Sequence, residues 1–430
     1  FNVLTSNVLT FNVPTSNAKT SNATTSNATT SNAKTQMQTT EPADMANRAP
    51  SAERHFPTLG ILGGGQLGKM MAAAAVRMGV HVRFLSPKDA GPMGPYAHTT
   101  VADWRDPDVL RDFATGCDAV TVESEWAPAE EMAAVLPEGV GLWPRPETVN
   151  CIKHKGTQKT HLRGAGLPQP PFVPCETLDE ALAAADDLGY PVLVKMYRGS
   201  YDGYGNATVE TPDALRAAWD ELADDDGALI EAFADFEREL AVQVARRPDG
   251  TQVVYPVAYT EQRDHRCHAV EVPAAIDPDV AAEAQRVAQA AVDAVEGVGL
   301  TAVELFEMPD GRILVNELAP RPHNTGHYSI EGCYTSQFEN HVRAVLDWPL
   351  GSTDLRAPCA VMVNVLGHRQ GSPPHTRGLR KALAVESATV HVYGKPEVRP
   401  HRKMGHVTAT GSDRETVRQR AEEAAGYIRL

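Results

Sequence analysis

The stretch "VELFEMPDGRILVNELAPRPHN", residues 303–324, restricts the fold more than any other part of the chain. Two runs rich in Val, Leu, Ile and Phe flank Asp310-Gly311, a dipeptide that favours a two-residue hairpin turn. Such a turn sets Met308 opposite Ile313, Phe306 opposite Val315 and Glu304 opposite Glu317. Strand side chains alternate, so all of these share one face, an apolar patch ending in two acids. Like charges directly across a strand pair repel. Glu304 and Glu317 therefore predict either a solvated, frayed strand end or a cation held between them. Hard divalent ions take oxygen ligands, and Asn316 and Asn324 supply more oxygens nearby. The dense polar run that follows favours a magnesium site.

Composition excludes several classes. The 430 residues allow one large or two to three ordinary domains. With 42% hydrophobic and 22% charged residues, the chain reads as a soluble globular protein. A net charge of -15 argues against general affinity for nucleic acid or for an anionic membrane. No apolar run is long enough to span a bilayer. The 6 cysteines lie far apart, without metal-site spacing or disulfide-scaffold density, which fits a reducing compartment.

Residues 1–56 stand apart, with "TSNATTSNATTSNAKT" repeating through a segment that contains almost nothing able to pack. This is expected to be a disordered low-complexity leader. Asn22 and Asn27 lie in formal glycosylation sequons, but no secretory hydrophobic segment precedes them. A Ser/Thr-rich, acid-poor leader also suits an organelle transit peptide.

Three segments follow. In 57–149, "PTLGILGGGQLGKMM" reads as strand, glycine turn and helix, and further strands and helices alternate as in a parallel sheet with helical crossovers. Gly63, Gly64, Gly65 and Gly68 can bring backbone N–H groups to an anion at a helix start. A nucleotide, a substrate phosphate and plain tight packing all fit that turn. In 150–350, with a small lobe at about 185–240, a strand delivers Lys195 into the glycine-punctuated loop "RGSYDGYGN". A lysine there suits a phosphate chain, or stands exposed beside a surface hairpin. Glu231 and Glu239 flank a polar connector and either hold a hydroxyl or face water. The segment 351–430 is a small β-rich lobe closed by one helix. There Lys395, Arg399, Arg402 and Lys403 cluster, to cradle a phosphate monoester or to decorate a surface.

Six stretches, "GILGGGQLGKMM", "LVKMYRGSYDGYG", "FEREL", "AVELFEMPDGRILVNELAPRPHNTGH", "EGCYTSQFENH" and "YGKPEVRPHRKMGH", follow an order that resembles the N5-carboxyaminoimidazole ribonucleotide synthetases, and the resemblance covers roughly residues 58–428. These are ATP-grasp enzymes of purine biosynthesis. The resemblance implies an α/β ATP-grasp fold with an N-terminal Rossmann-like pre-ATP-grasp domain and a small C-terminal β-rich domain. It implies ATP and Mg2+ as cofactors, and bicarbonate and 5-aminoimidazole ribonucleotide as substrates. Carboxyphosphate forms first, and its carboxyl group passes to the amine. A cytoplasmic homodimer coupled to a downstream mutase is also implied, with no nucleic acid or membrane partner.

Carried over residue by residue, Lys159 and Lys195 match the lysines on the ATP phosphates, Glu231, Ala232 and Phe233 the adenine hinge, and Glu239 the ribose-binding carboxylate. Glu304 and Glu317 match the magnesium ligands. Arg321, His323 and Asn324 match the bicarbonate pocket, Glu123, Tyr201 and Asp202 the aminoimidazole site, and Lys395 and Arg402 the ribose-phosphate grip. The glycine-rich loop at 199–205 is expected to cover the site. Some positions depart from the family. Tyr204 stands where a basic residue is usual, Asn206 for glutamine and Trp126 for asparagine, and "KHKGTQK" before Lys159 lacks an acid–arginine pair. The departures on the amine side leave open an ATP-grasp carboxylate–amine ligase with another acceptor, or a weakly catalytic nucleotide-binding homologue.

Overall fold

The computed structural model describes residues 56–89, 91–97, 99–199, 204–264, 266–371 and 378–430. The leader at 1–55 and the expected substrate contacts Tyr201 and Asp202 lie outside the described residues. Short apolar runs separated by turns become the strands of three sheets. The first holds β1 (Thr58–Leu62), β2 (His81–Ser86), β3 (Thr99–Val101), β4 (Ala119–Val122) and β5 (Gly141–Trp143), all parallel in the order β3-β2-β1-β4-β5. The strand order reverses between β1 and β4, which opens a crevice at their carboxyl ends. Both the glycine turn after β1 and Glu123 after β4 lie there.

A second sheet contains β6 (Phe172–Cys175), β7 (Val192–Met196), β8 (Asn206–Val209) and β9 (Ala228–Ala232), ordered β6-β9-β7-β8. It begins at Phe172, ahead of the expected small-lobe boundary at 185. The helix Leu178–Leu188 packs on it and starts with a capping box in which Thr177 and Glu180 satisfy each other's backbone N–H groups.

The third sheet is antiparallel. It comprises β10 (Arg238–Arg246), β11 (Gln252–Val254), β12 (Ala258–Arg263), β13 (Arg266–Val272), β14 (Gly299–Glu307), β15 (Ile313–Ala319), β16 (Cys359–Leu366), β17 (Ala388–Val392) and β18 (Lys403–Gly411). Its path runs β15-β14-β10-β12-β13-β16-β18-β17, with β11 pairing β10. Because β13 pairs β16, the C-terminal strands extend the central sheet. The helix Pro278–Ala294 opens on an Asp277 cap and Pro278, and buries Val287, Ala288, Ala291 and Val292 against β10, β14 and β15. Small residues on the helix Gln66–Arg77 let it lie close against the helix Gln337–Val345, joining the parallel sheet to the central one.

Buried His341 straps the same junction. Its Nδ1 accepts the Leu300 N–H at 3.0 Å, which leaves the proton on Nε2, 2.9 Å from Thr121 Oγ1. Among the described residues no helix is long and apolar enough to cross a membrane.

Candidate active site

The hairpin of β14 and β15 brings Glu304 opposite Glu317 by two compensating irregularities. The turn is one residue longer than the Asp-Gly reading, with Met308 N–H donating to Arg312 C=O at 2.9 Å and Gly311 at φ +80°. Pairing therefore runs Glu307 with Ile313, Phe306 with Leu314 and Leu305 with Val315. A bulge between Glu304 and Leu305 then leaves Asn316 unpaired and restores the predicted partner of Glu304. The expected apolar partners on the shared face are thus corrected: Ile313 and Val315 turn into the core under the helix Pro278–Ala294, and Leu314 accompanies Phe306.

Glu239 on β10 pairs with Phe306 and adds a third carboxylate to that face. Burial, Glu317 and Glu239 together push the Glu304 carboxyl up to about 8. Burial works the same way on Glu317, but the Lys155 ammonium forms an ion pair with its Oε2 and holds it well below the usual range. Among the described residues no cluster of three or more His, Cys, Asp or Glu is arranged to hold a metal. Two opposed carboxylates whose repulsion raises one of them nevertheless fit magnesium, an ion commonly held by one or two carboxylates together with substrate phosphates.

The lysines expected on a phosphate chain converge on Glu231. Lys195 donates to its Oε1. Lys159 forms an ion pair with Oε2, and both Lys159 and Glu231 side chains are 2% exposed. Glu231 thus points inward at two ammonium groups and does not face water. Burial lowers Lys159 to about 8 against the pull of Glu231. Burial opposes the charge on Glu231, yet the lysines hold its carboxyl below the ordinary value. Beyond it, Ala232 N–H donates to Pro171 C=O at 2.8 Å, and Phe233 stands exposed on the connector to β10.

After β15 the chain turns through Arg321. Its Nε donates to Glu125 Oε2 at 2.8 Å and its Nη2 to Oε1 at 3.2 Å, a two-point ion pair. His323 is fixed by the buried Gln337 amide, which accepts its N–H at 3.0 Å and donates to its C=O at 2.7 Å. The imidazole Nδ1 lies 3.0 Å from Thr325 Oγ1 and 3.7 Å from Glu304. Asn324 is buried, and its amide exchanges hydrogen bonds of 2.9 and 2.8 Å with Asn364, so it braces the loop from β16.

The glycine turn is occupied from within. Glu123 accepts the N–H groups of Gly65 and Gly68, each at 2.6 Å. A Cβ at Gly63 or Gly65 would stand 2.3 Å from the Glu123 side chain, and one at Gly68 would stand 2.7 Å away. These glycines make room for a carboxylate, and two of the N–H groups offered for a phosphate are spent on it. Burial raises the Glu123 carboxyl despite those bonds and the nearby charges of Arg321 and Lys395. Lys395 donates to Lys403 C=O at 2.7 Å, which brings the β18 end of the C-terminal segment to this crevice. Arg402 instead donates to Glu397 C=O at 3.0 Å beside Arg399.

Sequence reasoning missed Lys155, Glu125, Gln337 and Asn364. Glu125 carried a signal, since it repeats the acid of Glu123 two residues later at the same strand end. Lys155 lay within the stretch whose acid–arginine pair is absent. Of the departures, Tyr204 is 60% exposed, and Trp126 lines a cavity of about 250 Å³ beside Glu125, Lys153 and Arg198.

A small antiparallel sheet carrying Lys195, a helix carrying Lys155 and Lys159, and a larger sheet carrying facing acids form the arrangement of an ATP-grasp ligase. The chain matches a ribonucleotide synthetase preATP-grasp domain over residues 56–153, an ATP-grasp domain over 160–338 and a phosphoribosylaminoimidazole carboxylase C-terminal domain over 360–420. It is 40% identical over 391 residues to the N5-carboxyaminoimidazole ribonucleotide synthase of Mycobacterium bovis, covering 89% of this chain and 90% of the relative. The N5-carboxyaminoimidazole ribonucleotide synthetase structure from Thermotoga maritima superposes with TM-score 0.77 at 38% identity, over 87% of this chain and 99% of that one. An Aspergillus clavatus N5-carboxyaminoimidazole synthase, solved with ADP and 5-aminoimidazole ribonucleotide, has TM-score 0.78 at 32% identity, over 87% and 98%. The chain belongs to the N5-carboxyaminoimidazole ribonucleotide synthase family.

Proposed function

We propose that this protein carboxylates 5-aminoimidazole ribonucleotide to its N5-carboxyamino derivative, using ATP and bicarbonate in purine biosynthesis. The observation that carries the reading is the opposition of Glu304 and Glu317 beside Lys155, His323 and the clamped guanidinium of Arg321.

A bicarbonate oxygen attacks the terminal phosphorus of ATP, which releases ADP and forms carboxyphosphate. The substrate amine then attacks the carboxyl carbon, phosphate leaves, and the amine loses a proton. Lys159 and Lys195 hold the phosphate chain, Glu231, Ala232 and Phe233 the adenine end, and Glu239 the ribose. Magnesium held by Glu304 and Glu317 would neutralise phosphate charge and orient the terminal phosphoryl group. Arg321 and His323 receive bicarbonate and the developing carboxyphosphate charge, with Asn324 bracing their loop. Glu123, Tyr201 and Asp202 surround the aminoimidazole, and Lys395 and Arg402 take its phosphate. Carboxyphosphate hydrolyses readily, so the loop at 199–205 covers it during transfer.

This reading divides the chain at 57–149, 150–350 and 351–430. By resemblance it extends to a cytoplasmic homodimer whose product feeds a mutase. The test is phosphate release from ATP with bicarbonate and magnesium, with direct detection of the carboxylated product. Release should rise when 5-aminoimidazole ribonucleotide is added. Absence of that stimulation at saturating substrate rejects the assignment.

A further inference from the structure

Two of the site's lysines, Lys155 and Lys159, ride on one short helix, Lys155–Gly164. Lys155 reaches Glu317, Lys159 reaches Glu231, and between them Gln158 accepts the Leu318 N–H at 3.1 Å. Whatever fixes the first turn of this helix therefore fixes two cations at once. That turn begins at His154, whose backbone is extended at φ -112° and whose Nδ1 accepts the Thr157 N–H at 3.1 Å.

The imidazole also stacks on Tyr197, with ring centroids 4.5 Å apart and planes at 23°. Lys155 N–H donates to Tyr197 C=O at 2.9 Å. Gly156 is what permits this approach, since a Cβ there would stand 2.7 Å from Tyr197 Cε1. Tyr197 follows β7 and is itself held by a 3.2 Å bond from its hydroxyl to Cys175 C=O. His154 thus ties the lysine-bearing helix to the strand that carries Lys195.

A histidine cap differs from a carboxylate or amide cap in one respect. Only neutral imidazole has the lone pair that accepts an N–H. Once both ring nitrogens carry protons, Nδ1–H faces Thr157 N–H, and the cap becomes a repulsion. The charges around the ring are Arg198, next to Tyr197, and Asp224 and Asp226 before β9, with Lys155 adjacent on its own helix. Arg198 is ion-paired to Asp226 at 2.6 Å and to Asp224 at 3.5 Å. Burial first, and Arg198 second, hold the imidazole below its ordinary range, so the neutral cap prevails near pH 7.

We propose that His154 is a positioning residue for nucleotide binding: its neutral ring caps the helix that aligns Lys155 and Lys159, and its protonation releases them. This rests on the ligase reading above. By linkage, a bound nucleotide in turn disfavours protonation of His154.

The experiment measures ADP affinity by calorimetry from about pH 8 to about pH 5.5 for the unaltered protein, His154→Asp and His154→Asn. Asp and Asn accept the Thr157 N–H throughout this range. Comparison at matched pH cancels the nucleotide's own protonation. The unaltered protein should lose about three- to thirtyfold more affinity on the acid side than either variant, the span expected for loss of one cap. Parallel losses in all three proteins overturn the proposal. Amide exchange of residues 155–159, corrected for intrinsic pH dependence, gives a readout without nucleotide. Faster acid-side exchange only in the unaltered protein supports the cap switch, and identical profiles reject it. Failure to bind ADP at every pH rejects the ligase reading instead, and the exchange result still decides the role of His154.

Discussion

The guanidinium of Arg321 is held at two points by Glu125, a residue 196 positions earlier at the end of β4. The parallel sheet thereby sets the direction of a cation that the central sheet delivers. Burial opposes the charge on Glu125, but Arg321 keeps its carboxyl below the ordinary value. Glu125→Gln keeps the shape and removes the charge. Loss of a charge-assisted pair of this kind is expected to lower kcat/KM for bicarbonate by about ten- to a hundredfold. The KM for ATP should hold. An equal rise in both KM values would show that Glu125 serves general folding.

Glu304 is raised to about 8 by burial first and then by its acidic neighbours. A carboxyl raised in this way contributes stability below its ordinary range near 4.5, and that contribution is lost as pH rises through about 8. At neutral pH the metal-free site therefore holds a proton, and on the proposed ligase reading magnesium-nucleotide should displace it. Calorimetric enthalpies in buffers of different ionisation heat should report that release. Glu304→Gln should abolish it and cut activity by about a hundredfold or more. The same variant should leave the metal-free Tm at neutral pH nearly unchanged, since a neutral amide replaces a carboxyl that is already protonated there.

Glu231 pairs with two ammonium groups in a place where its side chain is 2% exposed. Glu231→Gln keeps hydrogen-bonding capacity but leaves Lys159 and Lys195 to repel each other. A destabilisation of about 3 kcal/mol is expected from breaking a buried ion pair on one side. Urea unfolding measures it. A loss below about 0.5 kcal/mol, the range of ordinary surface substitutions, would contradict the buried geometry.

Burial holds His341 down at about 3. The unfolded chain takes up this proton near pH 6.5, so the neutral strap contributes fully above that value and progressively less as pH falls toward 3. At about pH 5 the loss is about 2 kcal/mol. His341→Gln cannot titrate, and the stability difference between pH 7 and pH 5 should shrink by about that amount. An unchanged difference in urea unfolding would remove His341 from the acid response.

The sequence alone determined what is local or periodic. It carried the alternation that makes the parallel sheet, the apolar runs of the central strands, and the hairpin that faces Glu304 with Glu317. That last pairing came out right although its register was off by one at the turn, because the bulge at Asn316 adds back the residue the longer turn removes. Strand periodicity cannot reveal a bulge whose extra residue is polar and part exposed.

Tertiary structure decided how the site is wired. Lys155 reaches Glu317 and Glu125 reaches Arg321 across separations of 162 and 196 residues, and each contact exists only once elements far apart in the chain have packed. The glycine turn was open to a nucleotide, a phosphate or simple packing because a run of glycines states only that something must come close. That something is the Glu123 carboxylate, brought there by the β1–β4 reversal in strand order. Charge pairing in a fold is a matter of distance and burial, and neither quantity is written in the order of residues along a chain.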